Sequence, residues 1–266
     1  MSKASSANKK KPAATPLVDP SSAGLHPTRT MAVDIGGSGV KTMLLDEAGK
    51  PLTDRLRAKT PDPSTPKAIT KIIADFAQQL GDFERVSVGF PGVIKQGTVY
   101  TAANLNQKWI EHPFAASLAK ELGKPVRVAN DAVVQGLGAV SGVGVELVIT
   151  LGTGMGSALY LDGVPIPSLE LSHHPFRNGN TYEDELGRRA LDKHGRKKWN
   201  KNLAEAINQL HQLFYYDRLY IGGGNTKEIK IKLPSNAITI SNEEGLLGGI
   251  KLWEPALQNW AGTSGS

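Results

Sequence analysis

The chain carries two short apolar runs, TMAVDI at 30–35 and VKTMLL at 40–45, separated by GGSG. Runs of this length bounded by glycine suit strands, so the pattern predicts a hairpin with its turn at 36–39. A third strand is expected over 52–58, after a polar turn at 47–50. The period then changes. Ile69, Ile72, Ile73, Phe76 and Leu80 recur at helical spacing, which predicts a helix from Ser64 or Thr65 to about Leu80. Residues 86–90 read as a buried strand closed by Pro91-Gly92, and 114–122 as a helix. Residues 126–129 form a strand running into Asn130-Asp131, and a small-residue helix follows over 132–141.

The opening figure now returns as strand 147–151, glycine turn 152–156 and strand 157–161. Helices are expected near 182–194 and 199–214, then a strand over 218–221 entering Gly222–Gly224. A last helix over about 245–260 should pack back across the first half. Strands alternating with helices make the class α/β. A hairpin heading each half predicts a duplicated architecture of two domains around a cleft. The smaller domain is expected over 31–129 plus 246–262, the larger over 130–245.

Composition alters this picture in three places. The net charge is +6, but residues 1–30 hold five basic residues against Asp19, a net +4. That segment is rich in Ser, Ala, Pro and Lys without apolar period, and reads as a disordered basic tail, either solubilising or a docking arm. The remaining +2 makes no case for nucleic acid. No apolar stretch approaches the roughly 20 residues of a membrane helix, so no membrane partner is expected. The absence of cysteine excludes disulfides and thiolate metal sites, and with no apolar leader it implies a cytoplasmic protein.

The 29 glycines are clustered after apolar runs, where bare backbone N–H groups can cradle an anion. A P-loop fails here: Val40, not glycine, precedes Lys41-Thr42, and a strand follows instead of a helix. The dinucleotide fingerprint fails too, because Gly152, Gly154 and Gly156 are spaced two and two. Asp131, at a strand end where a helix begins, is open to two readings, a helix N-cap or a carboxylate facing the cleft.

DIGGS at 34–38, LGTGMG at 151–156 and Gly222–Gly224 together resemble the phosphate motifs of the actin, hexokinase and Hsp70 superfamily. The resemblance implies the actin-like ATPase (ribonuclease H-like) fold. More closely, the chain resembles ROK sugar kinases of the polyphosphate glucokinase branch. The matching features are DIGGSGVK at 34–41, GFPG at 89–92, Asn104-Leu105 with Trp109, AND at 129–131, LGTGMGSALY at 151–160 and ELSH at 170–173.

This resemblance implies a hexose kinase in which Asp131 takes the proton of the sugar 6-hydroxyl. Asn104, Asn130, Asp131, Glu170 and His173 would grip the sugar, with Glu183 or the nearby Glu185 as a further carboxylate. Phosphate would lie at Asp34, Gly36, Gly37, Ser38, Lys41, Gly152, Thr153, Gly154, Gly222 and Gly223, with Asp34 orienting Mg²⁺ through water. Glucose or mannose would be the acceptor, and a homodimer is implied. The zinc site of most ROK kinases needs cysteines this chain lacks, so no zinc is expected and packing must hold the loop at 175–182. The resemblance implies polyphosphate as the phosphoryl donor, with ATP as the alternative. Residues 188–198 are the densest basic run outside the tail, with Arg188, Arg189, Lys193, Arg196, Lys197 and Lys198 against Asp192. A solvated helix face and a polyphosphate track both fit that run.

Overall fold

The computed structural model describes residues 28–167, 169–241, 244–258 and 260. The expected tail lies outside the described residues up to position 27, as does the end of the smaller domain at 261–262.

The first sheet is ordered β3-β2-β1-β4-β7 and the second β10-β9-β8-β13-β14. In the first, β1 (Thr30–Ile35) pairs antiparallel with β2 (Val40–Leu45), which pairs antiparallel with β3 (Leu56–Ala58). On its other side β1 runs parallel to β4 (Arg85–Phe90), and β4 to β7 (Val126–Asn130). The second sheet repeats this order: β8 (Val145–Leu151) pairs antiparallel with β9 (Met155–Leu161), which pairs antiparallel with β10 (Val164–Pro165), and on its other side β8 runs parallel to β13 (Arg218–Gly222), and β13 to β14 (Ala237–Thr239). Two sheets with one strand order are the duplication the repeated hairpins predict, and they make this an α/β actin-like ATPase fold. Two small hairpins stand apart from these sheets. One is β5 (Ile94–Lys95) with β6 (Thr98–Val99); the other is β11 (Pro175–Arg177) with β12 (Asn180–Thr181).

α1 (Pro66–Leu80) is capped by the Thr65 side chain, which accepts the Ala68 N–H, and buries Ile69, Ile73 and Phe76 on the first sheet. α2 (Phe114–Leu122) packs there too. The second sheet is covered by α5 (Arg188–Phe214) through Trp199, Leu203, Ala206 and Leu210. α3 (Asp131–Ala139) lies between the sheets. Its Val133 and Leu137 share a core with Val148 and Tyr160 of the second sheet and with Leu252 and Leu257 of the C-terminal segment. α6 (Glu244–Lys251) returns to the first half, as expected: a side chain at Gly248 would collide with the Val134 carbonyl of α3, and Gly249 lies beside Ala32 and Ser87.

The boundaries that differ most from expectation do so because of specific contacts. The third strand is Leu56–Ala58, not 52–58, because the Thr53 hydroxyl takes the Leu44 N–H at 3.1 Å where a ladder carbonyl would. The helical region near 182–194 breaks at Gly187, giving α4 (Tyr182–Leu186) and α5. A Cβ on Gly187 would stand 2.9 Å from the Glu183 carbonyl and 3.0 Å from that of Thr153. The next break falls at Gly195 (φ 74°). The last helix ends at Lys251, not near 260. Beyond it Trp253 lies between Arg127 and Arg85, its ring centre 4.5 and 5.1 Å from their guanidinium carbons, and its indole N–H bonds Ser87 Oγ at 2.8 Å. Among the described residues no helix is long and apolar enough to cross a membrane.

Candidate active site

A cleft of about 920 Å³ runs between the two sheets, at the ends of β1 and β8. Its floor is the β7–α3 junction. Asn130, not Asp131, caps α3: its Oδ1 accepts the N–H groups of Ala132 (2.9 Å) and Val133 (3.4 Å), and its Nδ2 donates to the Gly92 carbonyl at 3.2 Å. Asp131 therefore stands as the first residue of the helix, partly buried and lining the cleft. Withdrawal from water raises its carboxyl most. The negative charges of Asp34 and Glu170 add to this, the Ala132 N–H opposes them, and the result is pushed up to about 7. A group poised there exchanges a proton near neutral pH, as a general base must.

The first hairpin turns through Gly36–Gly39, with the Gly36 N–H donating to Gly39 O at 2.9 Å and Thr60 Oγ1 donating to Gly36 O at 2.6 Å. Lys41 Nζ donates to Asp34 Oδ2 at 2.8 Å, leaving Asp34 Oδ1 without a protein partner among the described residues. One unengaged carboxylate oxygen beside a glycine turn fits Mg²⁺, which takes few protein ligands and keeps its waters. Asn104 reaches the same turn; its Cβ would be 3.5 Å from one added at Gly37. The Asn104 loop is pinned by Trp109, whose indole donates to Ser64 O at 2.8 Å and whose ring packs 4.8 Å from Phe90.

The second hairpin turns tightly through Gly152–Gly154 (Gly152 N–H to Gly154 O, 3.0 Å), a shorter turn than 152–156. Glu183 lies directly on it: its Oε2 accepts the Met155 N–H at 3.1 Å, and a side chain at Gly154 would collide with that carboxylate. Glu185 points away. It is buried, accepting from Asn180 Nδ2 at 2.6 Å and from Asn202 Nδ2. Of the two candidate carboxylates only Glu183 reaches the cleft. The third turn closes on the second, with Asn225 N–H donating to Leu151 O and Asn225 Nδ2 to Gly152 O, both at 2.9 Å. Gly223 and Gly224 line the cleft. Gly222, the last residue of β13, is buried and faces Gln135 instead.

Glu170 holds left-handed backbone (φ 47°) and lines the cleft with His173, Nε2 to Oε2 being 3.8 Å. Burial raises its carboxyl, His173 lowers it and Glu183 raises it again. A non-glycine residue in this conformation is unusual and gathers at functional sites. In the following loop Phe176 stacks on Tyr182 at 4.6 Å, Arg177 pairs with Glu205 at 2.8 Å, and Thr181 and Asp184 form a capping box.

The basic run divides. Arg188 lines the cleft, while Arg189, Lys193, Arg196, Lys197 and Lys198 are exposed on α5 outside its lining. Arg188 pairs with Asp192 and Arg196 with Glu228, each at 2.9 Å. Three further cations line the cleft without having been singled out in the sequence: Arg55, Arg57 and Lys227. The alternation Arg55-Leu56-Arg57-Ala58-Lys59 was the available signal for the first two.

The ROK family model matches residues 30–168. The polyphosphate glucokinase of Mycobacterium leprae is 30% identical over 83% of this chain and 73% of its own length. That of Mycobacterium tuberculosis is 29% identical over 81% of this chain and 88% of its own. Among solved structures, the inorganic polyphosphate/ATP-glucomannokinase of Arthrobacter sp. strain KM superposes with a TM-score of 0.77 at 32% identity, covering 84% of this chain and 97% of its own. A duplicated sheet, a glycine-lined cleft with a raised aspartate and these likenesses agree: the chain belongs to the ROK family, among its sugar kinases.

Proposed function

We propose that the chain transfers the terminal phosphoryl group of inorganic polyphosphate to the 6-hydroxyl of glucose or mannose, with Asp131 as general base. The observation that carries this reading is the place of Asp131 on the floor of a cleft flanked by glycine turns, where burial and the charges of Asp34 and Glu170 push its carboxyl up to about 7. As the hydroxyl oxygen bonds to the terminal phosphorus, the bond to the bridging oxygen breaks and the hydroxyl proton passes to Asp131. The donor leaves one phosphoryl group shorter. Such transfer needs positioning and charge stabilisation more than covalent help.

Asn104, Glu170, His173 and Glu183 hold the sugar hydroxyls. Asn130 supports them chiefly by fixing Asp131 at the helix start, since its amide oxygen already caps α3. The backbone N–H groups of the two hairpin turns and Lys41 hold the phosphates. Asp34 would hold hydrated Mg²⁺, which when bound neutralises charge on the phosphate oxygens. The polyphosphate donor is favoured by Arg55, Arg57 and Lys227, cleft cations with no ion pair among the described residues, and by the names of the similar proteins. ATP is the second reading, favoured by the third glycine turn at Gly223-Gly224.

A donor-by-sugar matrix with purified full-length chain and Mg²⁺ tests the reading. Polyphosphate with glucose should give the highest kcat/KM, with mannose next. Turnover with ATP alone would move the assignment to an ATP-dependent hexose kinase.

A further inference from the structure

The first wall of the cleft carries a row of charge that runs on beyond the DIGGSGVK motif at 34–41. Strand register sets Asp34 opposite Lys41, and Lys41 opposite Arg57, so the three stand at one level across β1, β2 and β3. Directly paired residues share a face of the sheet. Further along that face Ala32, Met43 and Leu45 pack beneath Leu247 and Ile250 of α6, while at the Asp34 level the face opens into the cleft. The opposite face of β3 carries Leu56 and Ala58 against the first core. Arg55 precedes Arg57 by two residues, about 7 Å along an extended chain, and it also lines the cleft.

The pairing leaves an imbalance. Asp34 neutralises Lys41, but Arg57 sits across from Lys41, and like charges facing one another in a sheet are unfavourable by a few tenths of a kcal/mol or more. Neither Arg55 nor Arg57 has an ion-pair partner among the described residues, whereas Arg188 and Arg196 on the other side are each paired. The Arg57 guanidinium also lies over the first hairpin, its Nε 3.2 Å from where a Cβ on Gly39 would stand. Charge on an edge strand can discourage sheet-to-sheet pairing. That role does not require two arginines turned into the cleft beside a phosphate turn.

We infer that Arg55 and Arg57 form a subsite for the inner phosphoryl groups of an extended polyanionic donor, continuing the Lys41 row outward along the first wall. This rests on the polyphosphate reading and moves the main track from α5 to the β3 edge. A guanidinium fork matches paired phosphate oxygens, so each arginine can grip the chain through two N–H groups.

The test compares R55A/R57A and R55K/R57K with the wild-type chain. Tripolyphosphate binding is followed by calorimetry, and steady-state kinetics are measured with long-chain polyphosphate and with ATP. Both residues are exposed, so melting temperatures should match the wild type and separate binding from folding. The alanine pair should weaken tripolyphosphate binding about tenfold or more, the loss expected for a charge-assisted hydrogen bond. Its KM for polyphosphate should rise far more than its KM for ATP, and the lysine pair should recover part of the loss. Unchanged binding, or equal rises for both donors, overturns the subsite. A wild-type chain that binds tripolyphosphate but transfers nothing from it overturns the donor reading; loss of that binding in the alanine pair would still support the subsite.

Discussion

On the proposed function, Asp131 and its neighbour divide two jobs that the sequence left to one residue. A lone aspartate at a strand-to-helix junction fits an N-cap as well as it fits a base. Asn130 accepts the orphan N–H groups of Ala132 and Val133, while Asp131 shares the Ala132 N–H through Oδ1 and lines the cleft. With its carboxyl near 7, kcat/KM should fall about tenfold per pH unit below that value as the base is protonated. A pH–rate profile flat from 5 to 8 would count against the assignment. The same displacement affects stability. A carboxyl raised in the fold stabilises it fully below the unfolded value near 3.8 and loses that contribution as pH rises through about 7. Asp131→Asn should therefore melt higher than wild type at pH 8, by roughly 1–3 kcal/mol equivalent, with the gain fading toward pH 4. The Glu183/Glu185 ambiguity had the same character. Two residues apart on a helix point about 200° apart, so one had to face inward; which one depended on Asn180 and Asn202, contributed by other segments.

At the scale of elements, the hairpins were legible because glycine and strand-length apolar runs are local signals. The three shifted boundaries were not, because each depends on a contact distant in sequence or on side-chain chemistry: Thr53 replacing a ladder acceptor, Gly187 against Thr153, Trp253 between two arginines. The glycines of the turns have separable duties. A Cβ at Gly154 would meet the end of the flexible Glu183 side chain, whereas one at Gly223 (φ 91°) would meet the Leu151 backbone. Gly223→Ala should thus destabilise the fold by about 2–4 kcal/mol. Gly154→Ala should leave the melting temperature within a few degrees and instead raise the sugar KM, by displacing Glu183. Equal melting temperatures for the two variants would contradict this division. The basic run shows the limit of local reading. Charge density is visible in sequence, but which cations face the cleft is set by strand register and by the breaks at Gly187 and Gly195.

For the whole molecule, two sheets of one strand order bring both hairpin turns to a common cleft, and α3 carries Asp131 to its floor. The duplication was legible as a repeated motif. The cleft itself required tertiary contacts, notably α6 crossing back onto α3 and the first sheet. The account stands on a hexose hydroxyl and a phosphoryl donor meeting at Asp131. Its most direct test is Asp131→Asn in the full-length chain, with glucose binding measured by calorimetry beside glucose phosphorylation from polyphosphate. The account predicts glucose affinity within about tenfold of wild type, one hydrogen bond's worth, and turnover reduced about 10²–10⁴-fold. Turnover retained at the wild-type rate with glucose still bound would contradict it.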